Sequence, residues 1–162
     1  SISLINCSAR PLSPFYQRLR WQAWLALAKL VSVGPTRRER QIMALTSAVG
    51  SEPILKQWQR WQQQRPVSHS NMLRQLYAAS RFYLPAAPQC PVLVLSSVQD
   101  QLVAPHCSTA LAQFCQAVHM QHDWAGHDIA LDDPQWLSAK ISAFVLAQMS
   151  SSGNAKCGLP AI

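Results

Sequence analysis

The chain has 162 residues, enough for one domain with a sizeable core. Its 49% hydrophobic and 13% charged residues reverse the balance of a disordered chain. Every apolar run is broken by polar groups before membrane-spanning length, so no transmembrane helix is expected.

The net charge of +7 is unevenly spread: residues 1–88 carry twelve Lys/Arg against two Glu, and residues 89–162 two Lys against five Asp. Such asymmetry can mark a surface for nucleic acid or membrane. Here the arginines are scattered across helical stretches, with Arg37, Arg38 and Arg40 as the one tight cluster, and a solvated helical face is the expected cause. The five cysteines are Cys7, Cys90, Cys107, Cys115 and Cys157, and none forms a C-x-x-C pair. Neither a disulfide framework nor a zinc knuckle is indicated, and reduced thiols in a cytoplasmic protein are expected. No charged-then-apolar leader opens the sequence, which begins with Ser1.

In chain order, "ISLINC" (2–7) is a short β-branched apolar run that suits a strand buried on both faces. "SARPLSP" breaks it with two prolines. Helical spacing follows: Phe15, Leu19, Trp24, Leu27, Leu30 and Val31 recur along one helix that Gly34-Pro35 stops. "TRRE" predicts a capping box, Thr36 to Glu39, for a second helix bearing Ile42, Met43 and Leu45 and ending near Gly50. A third carries Ile54, Leu55, Trp58 and Trp61, and a fourth follows Ser70 with Leu73, Leu76 and Tyr77. The tryptophan stripes are expected to serve core or lid packing rather than an apolar ligand site.

After the connector "LPAAPQCP", "VLVLSS" reads as a second buried strand. A helix fits 105–117, with Leu111, Phe114 and Cys115 on its apolar side, and the alternation in "VHMQH" predicts a third strand. The last helix starts near Pro134, with Asp132 or Asp133 as its cap, and "SSSGNAKCGLPAI" reads as a frayed tail. The closing strand–helix–strand–helix order favours parallel strands joined by right-handed crossovers. The helical block falls between two strands of one sheet.

In parallel sheets functional groups gather at the carboxyl ends of strands. Two occupy that place here: Asp100, past "VLVLSS", and His127, past "VHMQH" in a glycine-containing loop. A histidine there can be a surface group, a metal ligand or a base. As a base it needs a fixed tautomer, which a carboxylate on Nδ1–H supplies. Adjacent strands lie roughly 4.8 Å apart, close enough for the two loops to touch. His69, His106, His119 and His122 are read as structural or surface groups, and His119 and His122, three apart on a strand, point to opposite faces and make a poor metal pair. Asp123, Asp128, Asp132 and Asp133 fit loop chemistry and capping.

"PVLVLSSVQDQLVAPHCS" followed by "WAGHDIALDDPQWLSAKISAF" resembles the closing third of the α/β-hydrolase fold. In that family a strand ends in the triad acid within a D-x-x-V-x-P setting, and the next strand delivers G-H with the catalytic histidine. The resemblance places the acid at Asp100 and the base at His127. It implies an α/β fold, the C-terminal part of a hydrolase sheet of about three parallel strands with an inserted all-helical lid. Residues 1–11 and 85–150 would form the core, 12–84 the lid or cap, and 151–162 a flexible tail. The implied activity is serine-type, esterase-like attack on an ester or other acyl substrate, with no metal or organic cofactor.

The family's nucleophile sits in G-x-S-x-G on a strand-to-helix elbow, in the order Ser, acid, His. No such elbow occurs here; "GSEP" and "SSSG" lack the spacing and a preceding strand, and the oxyanion-hole motif is absent too. The serine is therefore expected from a missing amino-terminal part of about five strands, and this chain alone is expected to be inactive and to self-associate through an open sheet edge. Ser97 is a remote substitute nucleophile, and Ser96 and Cys107 are the next to examine. The alternative function is a non-catalytic basic helical module that binds nucleic acid or a protein partner through residues 10–74.

Overall fold

The computed structural model describes residues 1–154, and at residues 31, 32, 35, 36 and 151–154 it describes the backbone alone. Three parallel strands, β1 (Ile2–Ile5), β2 (Val92–Ser97) and β3 (Val118–His122), lie in the order β1-β2-β3. Ile2 pairs with Val92 and Leu93 with Val118, so every crossover runs in parallel. The helices are α1 (Phe15–Arg18), α2 (Trp21–Ser32), α3 (Pro35–Thr46), α4 (Glu52–Gln64), α5 (His69–Arg81), α6 (Pro105–Phe114), α7 (Ile129–Asp132) and α8 (Pro134–Asn154). The first five all fall between β1 and β2.

Alternation along β2 divides the core in two. Leu93 and Leu95 face one side, where they pack with Ala125, Ile129, Leu137 and Phe144 under α7 and α8. Val94 and Val92 face the other, against Ala112 of α6. Fully burying a leucine such as Leu93 stabilises by about 1.5–3 kcal/mol, which makes β2, buried at all six positions, the centre of the fold. By contrast β1 is only partly buried, and Ile2 is exposed. Its outer edge pairs with no strand among the described residues, which corrects the expectation of burial on both faces.

Several boundaries differ from the pattern-based expectations, each for a tertiary reason. The first helix is broken at Leu19, which forms an antiparallel bridge with Val103, while Arg20 N–H donates to the Leu102 carbonyl (3.0 Å) and Ala104 N–H to the Arg18 carbonyl (3.1 Å). α3 begins at Pro35 with Gly34 as its cap, so Thr36 lies within the helix and not at the cap position that the capping box predicts. It ends at Thr46 rather than near Gly50, because Ser47, Ala48 and Val49 bond instead to Asp132. The cap of α5 is Ser68, whose hydroxyl accepts from Asn71 N–H, not Ser70. α6 stops at Phe114, and α8 runs to Asn154, into the stretch expected to be tail; the rest of that stretch, with Cys157, lies outside the described residues.

The helical insertion closes at its neck. Arg10 bridges Tyr83, with Leu84 N–H donating to the Arg10 carbonyl at 2.7 Å. No helix among the described residues is long and apolar enough to cross a membrane, and Cys7, Cys90, Cys107 and Cys115 are free thiols.

Candidate active site

Asp100 follows β2 in a tight turn, its own N–H reaching back to the Ser97 carbonyl. The carboxylate is almost wholly buried and accepts at both oxygens. Oδ1 takes the N–H groups of Leu102 (2.7 Å) and Val103 (2.9 Å), and Oδ2 faces His127 Nδ1 at 2.8 Å. A carboxylate can only accept, so Nδ1 is the nitrogen that carries a proton toward Asp100, and in the neutral imidazole the lone pair is on Nε2. The His127 side chain is 27% exposed against 2% for Asp100. A buried acceptor therefore holds a partly exposed imidazole, an arrangement compatible with a general base.

Three further residues set the position of His127, and sequence patterns singled out none of them for this task. Asn6, just past β1, is buried with φ 47°, a left-handed backbone that asparagine tolerates better than most residues. Its Nδ2 donates to the His127 carbonyl (2.6 Å) and its Oδ1 accepts from Ser97 N–H (2.8 Å), so one side chain joins the carboxyl ends of β1 and β2 to the histidine loop. Asp132 accepts from Gly126 N–H (2.6 Å), Ala48 N–H (2.9 Å) and the Ser47 hydroxyl. That ties the same loop to the turn after α3. Burial pushes the Asp132 carboxyl up, but those bonds and one from Val49 N–H outweigh it and hold the pKa below the ordinary carboxylate value. Gly126 lets the two segments touch: a β-carbon there would stand 2.7 Å from the Thr46 carbonyl oxygen and 3.0 Å from Ala48 N.

The remaining candidates have structural partners. His122 is buried, its Nδ1 accepting from Ala125 N–H (3.0 Å), its Nε2 facing Asp133 (3.2 Å), and its ring edge-on to Trp124 and Trp136. His119 Nε2 meets the Ser96 hydroxyl at 2.9 Å, and burial lowers its pKa. His69 contacts Arg38 and His106 contacts Cys107. Asp128 caps α7 and Asp133 caps α8. The Ser97 hydroxyl donates to the Ala125 carbonyl. Burial raises the Cys107 thiol pKa, with Ser13 and Arg18 opposing it, so this thiol is not poised as a thiolate. No group of three or more His, Cys, Asp or Glu could hold a metal among the described residues.

His127 stands in the wall of a cavity of about 660 Å³. The other walls come from Phe15, Leu19, Trp24 and Leu27 on one side and Leu73, Leu76 and Tyr77 of α5 on another. α5 has no buried residue; its apolar stripe faces this cavity rather than a core. Trp24, 42% exposed, likewise lines the cavity. A space of this volume with mainly apolar walls and a few polar groups suits a small-molecule ligand.

No family model matches the chain, and no curated protein sequence matches it. Solved structures do. The chain superposes on 2-hydroxy-6-oxo-6-phenylhexa-2,4-dienoate hydrolase from Rhodococcus sp. strain RHA1 with a TM-score of 0.63 at 15% identity, covering 88% of this chain and 54% of that one. For BpoC of Mycobacterium tuberculosis H37Rv, named as a non-heme bromoperoxidase, the TM-score is 0.62 at 18% identity, covering 90% and 57%. A thermophilic esterase from Thermogutta terrifontis gives 0.61 at 17%, covering 90% and 55%. The chain spans little more than half the length of each of these structures. The three parallel strands, the helices between β1 and β2 and these superpositions together show that the chain has the fold of the carboxyl-terminal portion of an α/β-hydrolase.

Proposed function

We propose that this chain supplies the acid–histidine half of a serine hydrolase acting on an ester or other acyl substrate. His127 would take the proton of a serine provided by chain outside these 162 residues, then return it to the leaving group, with Asp100 fixing the tautomer and stabilising the imidazolium formed between the two steps. The helical insertion would act as a lid over the acyl chain. The observation that carries this is the 2.8 Å contact between a buried, doubly anchored carboxylate and Nδ1 of a histidine in the wall of an apolar cavity. The basic-module alternative has no comparable observation behind it, and two of its arginines, Arg18 and Arg38, are buried.

The test uses protein made from the complete coding sequence. A serine-directed fluorophosphonate should label one serine, and activated short-chain esters should be hydrolysed. Exchanging His127 for Ala should cut turnover by about three orders of magnitude or more. Neither labelling nor turnover in a folded preparation would overturn the proposal.

A further inference from the structure

The cavity that His127 lines has a second polar feature. Arg18 also stands in its wall and is 8% exposed. Among the described residues its guanidinium hydrogen-bonds to neutral groups: Nε donates to the Ser8 hydroxyl (3.0 Å), Nη1 to the Ala79 carbonyl (3.0 Å) and Nη2 to the Ser8 carbonyl (3.1 Å). That uses three of five N–H donors. Burial lowers its pKa, the Cys107 thiol opposes that shift, and the nearby cation Arg10 adds to it.

Among the described residues no ion pair includes Arg18. Asp100 is held by His127 and two backbone N–H groups, Asp132 by the turn after α3, Asp133 by His122 and the start of α8, and Glu52 by Arg40. A buried guanidinium with no acid is costly to maintain, and carbonyl partners offset only part of that cost. It does fit a ligand that brings its own negative charge, because a guanidinium pairs best with a planar carboxylate or a phosphate. The apolar surfaces of Leu73, Leu76 and Trp24 in the same cavity suit an aliphatic or aromatic chain attached to that anion.

We infer that Arg18 is a specificity residue, and that the cavity takes acyl compounds bearing a carboxylate of their own, held by the free N–H groups of Arg18 away from the bond to be cut. This rests on the cavity being the acyl site of a hydrolase, and it deepens that assignment from "ester" to "anionic ester". Arg18 touches the ligand and not the reacting atoms, so its loss should alter binding rather than proton transfer.

The experiment is a binding measurement, separate from turnover. Protein from the complete coding sequence is titrated calorimetrically at neutral pH with octanoate and with octanamide, which share a chain and differ in charge. Octanoate should bind about tenfold or more tightly than octanamide. Arg18→Gln should abolish that preference by weakening octanoate alone, and Arg18→Lys should keep part of it. To keep the test independent of any effect of the substitution on folding, the Arg18 Nε–H resonance of the unaltered protein is followed as well; it should shift with octanoate and stay still with octanamide. Equal affinity for the two ligands, a preference that survives in folded Arg18→Gln, or a resonance that ignores octanoate would each overturn the inference. If Arg18-dependent binding is found without any serine labelled by fluorophosphonate, the anion site stands and hydrolysis does not.

Discussion

Gly126 and Asn6 place His127 by opposite means, one by lacking atoms and the other by supplying them. At Gly126 a methyl group would meet backbone of Thr46, Ser47 and Ala48, none of which can swing aside as a side chain would. Gly126→Ala should therefore destabilise by about 1–3 kcal/mol through overpacking, seen in denaturant melts, and should lower activity with it. Asn6 is held in one orientation by its partners, since a carbonyl needs the amide nitrogen and an N–H needs the amide oxygen. Asn6→Ala would strand the Ser97 N–H in a buried place, at a cost of about 1–3 kcal/mol. Asn6→Asp should do worse at the histidine loop despite its near-identical shape, because it turns an oxygen toward the His127 carbonyl. Equal stability for the Asp and Asn proteins would refute that assignment. The proximity of Asp100 to His127 was legible because each residue ends a short local pattern. The clamps at Asn6 and Asp132 were not, because their partners lie 121 and 84 residues away in the chain, and a lone Asn or Asp in a loop carries no mark of a distant partner.

Between elements, the bond network of Asp132 joins the turn after α3 to the histidine loop. In the folded protein these bonds hold its carboxyl pKa below the ordinary, unfolded carboxylate value. The stabilisation it gives is thus complete above that unfolded value and is lost as pH falls through the lower, folded one. Asp132→Asn should be less stable than the parent near neutral pH, with the gap narrowing below about pH 4; a gap that stays constant on acidification would show that ionisation is irrelevant there. The strands were readable from alternation and β-branching, and α4 and α8 from helical spacing and flanking prolines. The break at Leu19 was not, since helical spacing continues through it and only the bridge to Val103 interrupts the helix. The apolar stripe of α5 signalled a helix but not what it faces: periodicity cannot separate a core from a cavity wall. Because Trp24 is 42% exposed and lines that cavity, Trp24→Ala should change the chain-length preference for esters more than the melting temperature. A large fall in melting temperature with unchanged preference would return Trp24 to a packing role.

For the whole molecule, the three strands form a sheet centred on β2, whose edge strand β1 is only partly buried. An open strand edge invites pairing, and we propose that these 162 residues by themselves self-associate while the protein from the complete coding sequence does not; sedimentation of both decides it. The fold superposes on α/β-hydrolase-fold structures over little more than half their length, and we propose that the nucleophile elbow not found in these 162 residues lies in the portion they do not cover. The central claim is that Asp100 orients His127 for proton transfer. It is tested most directly by ester turnover in Asp100→Asn, made in the complete protein, because an amide keeps the shape but favours the wrong imidazole tautomer. Loss of about three to four orders of magnitude in kcat with little change in KM is the predicted result. Turnover within a few-fold of the parent would contradict it.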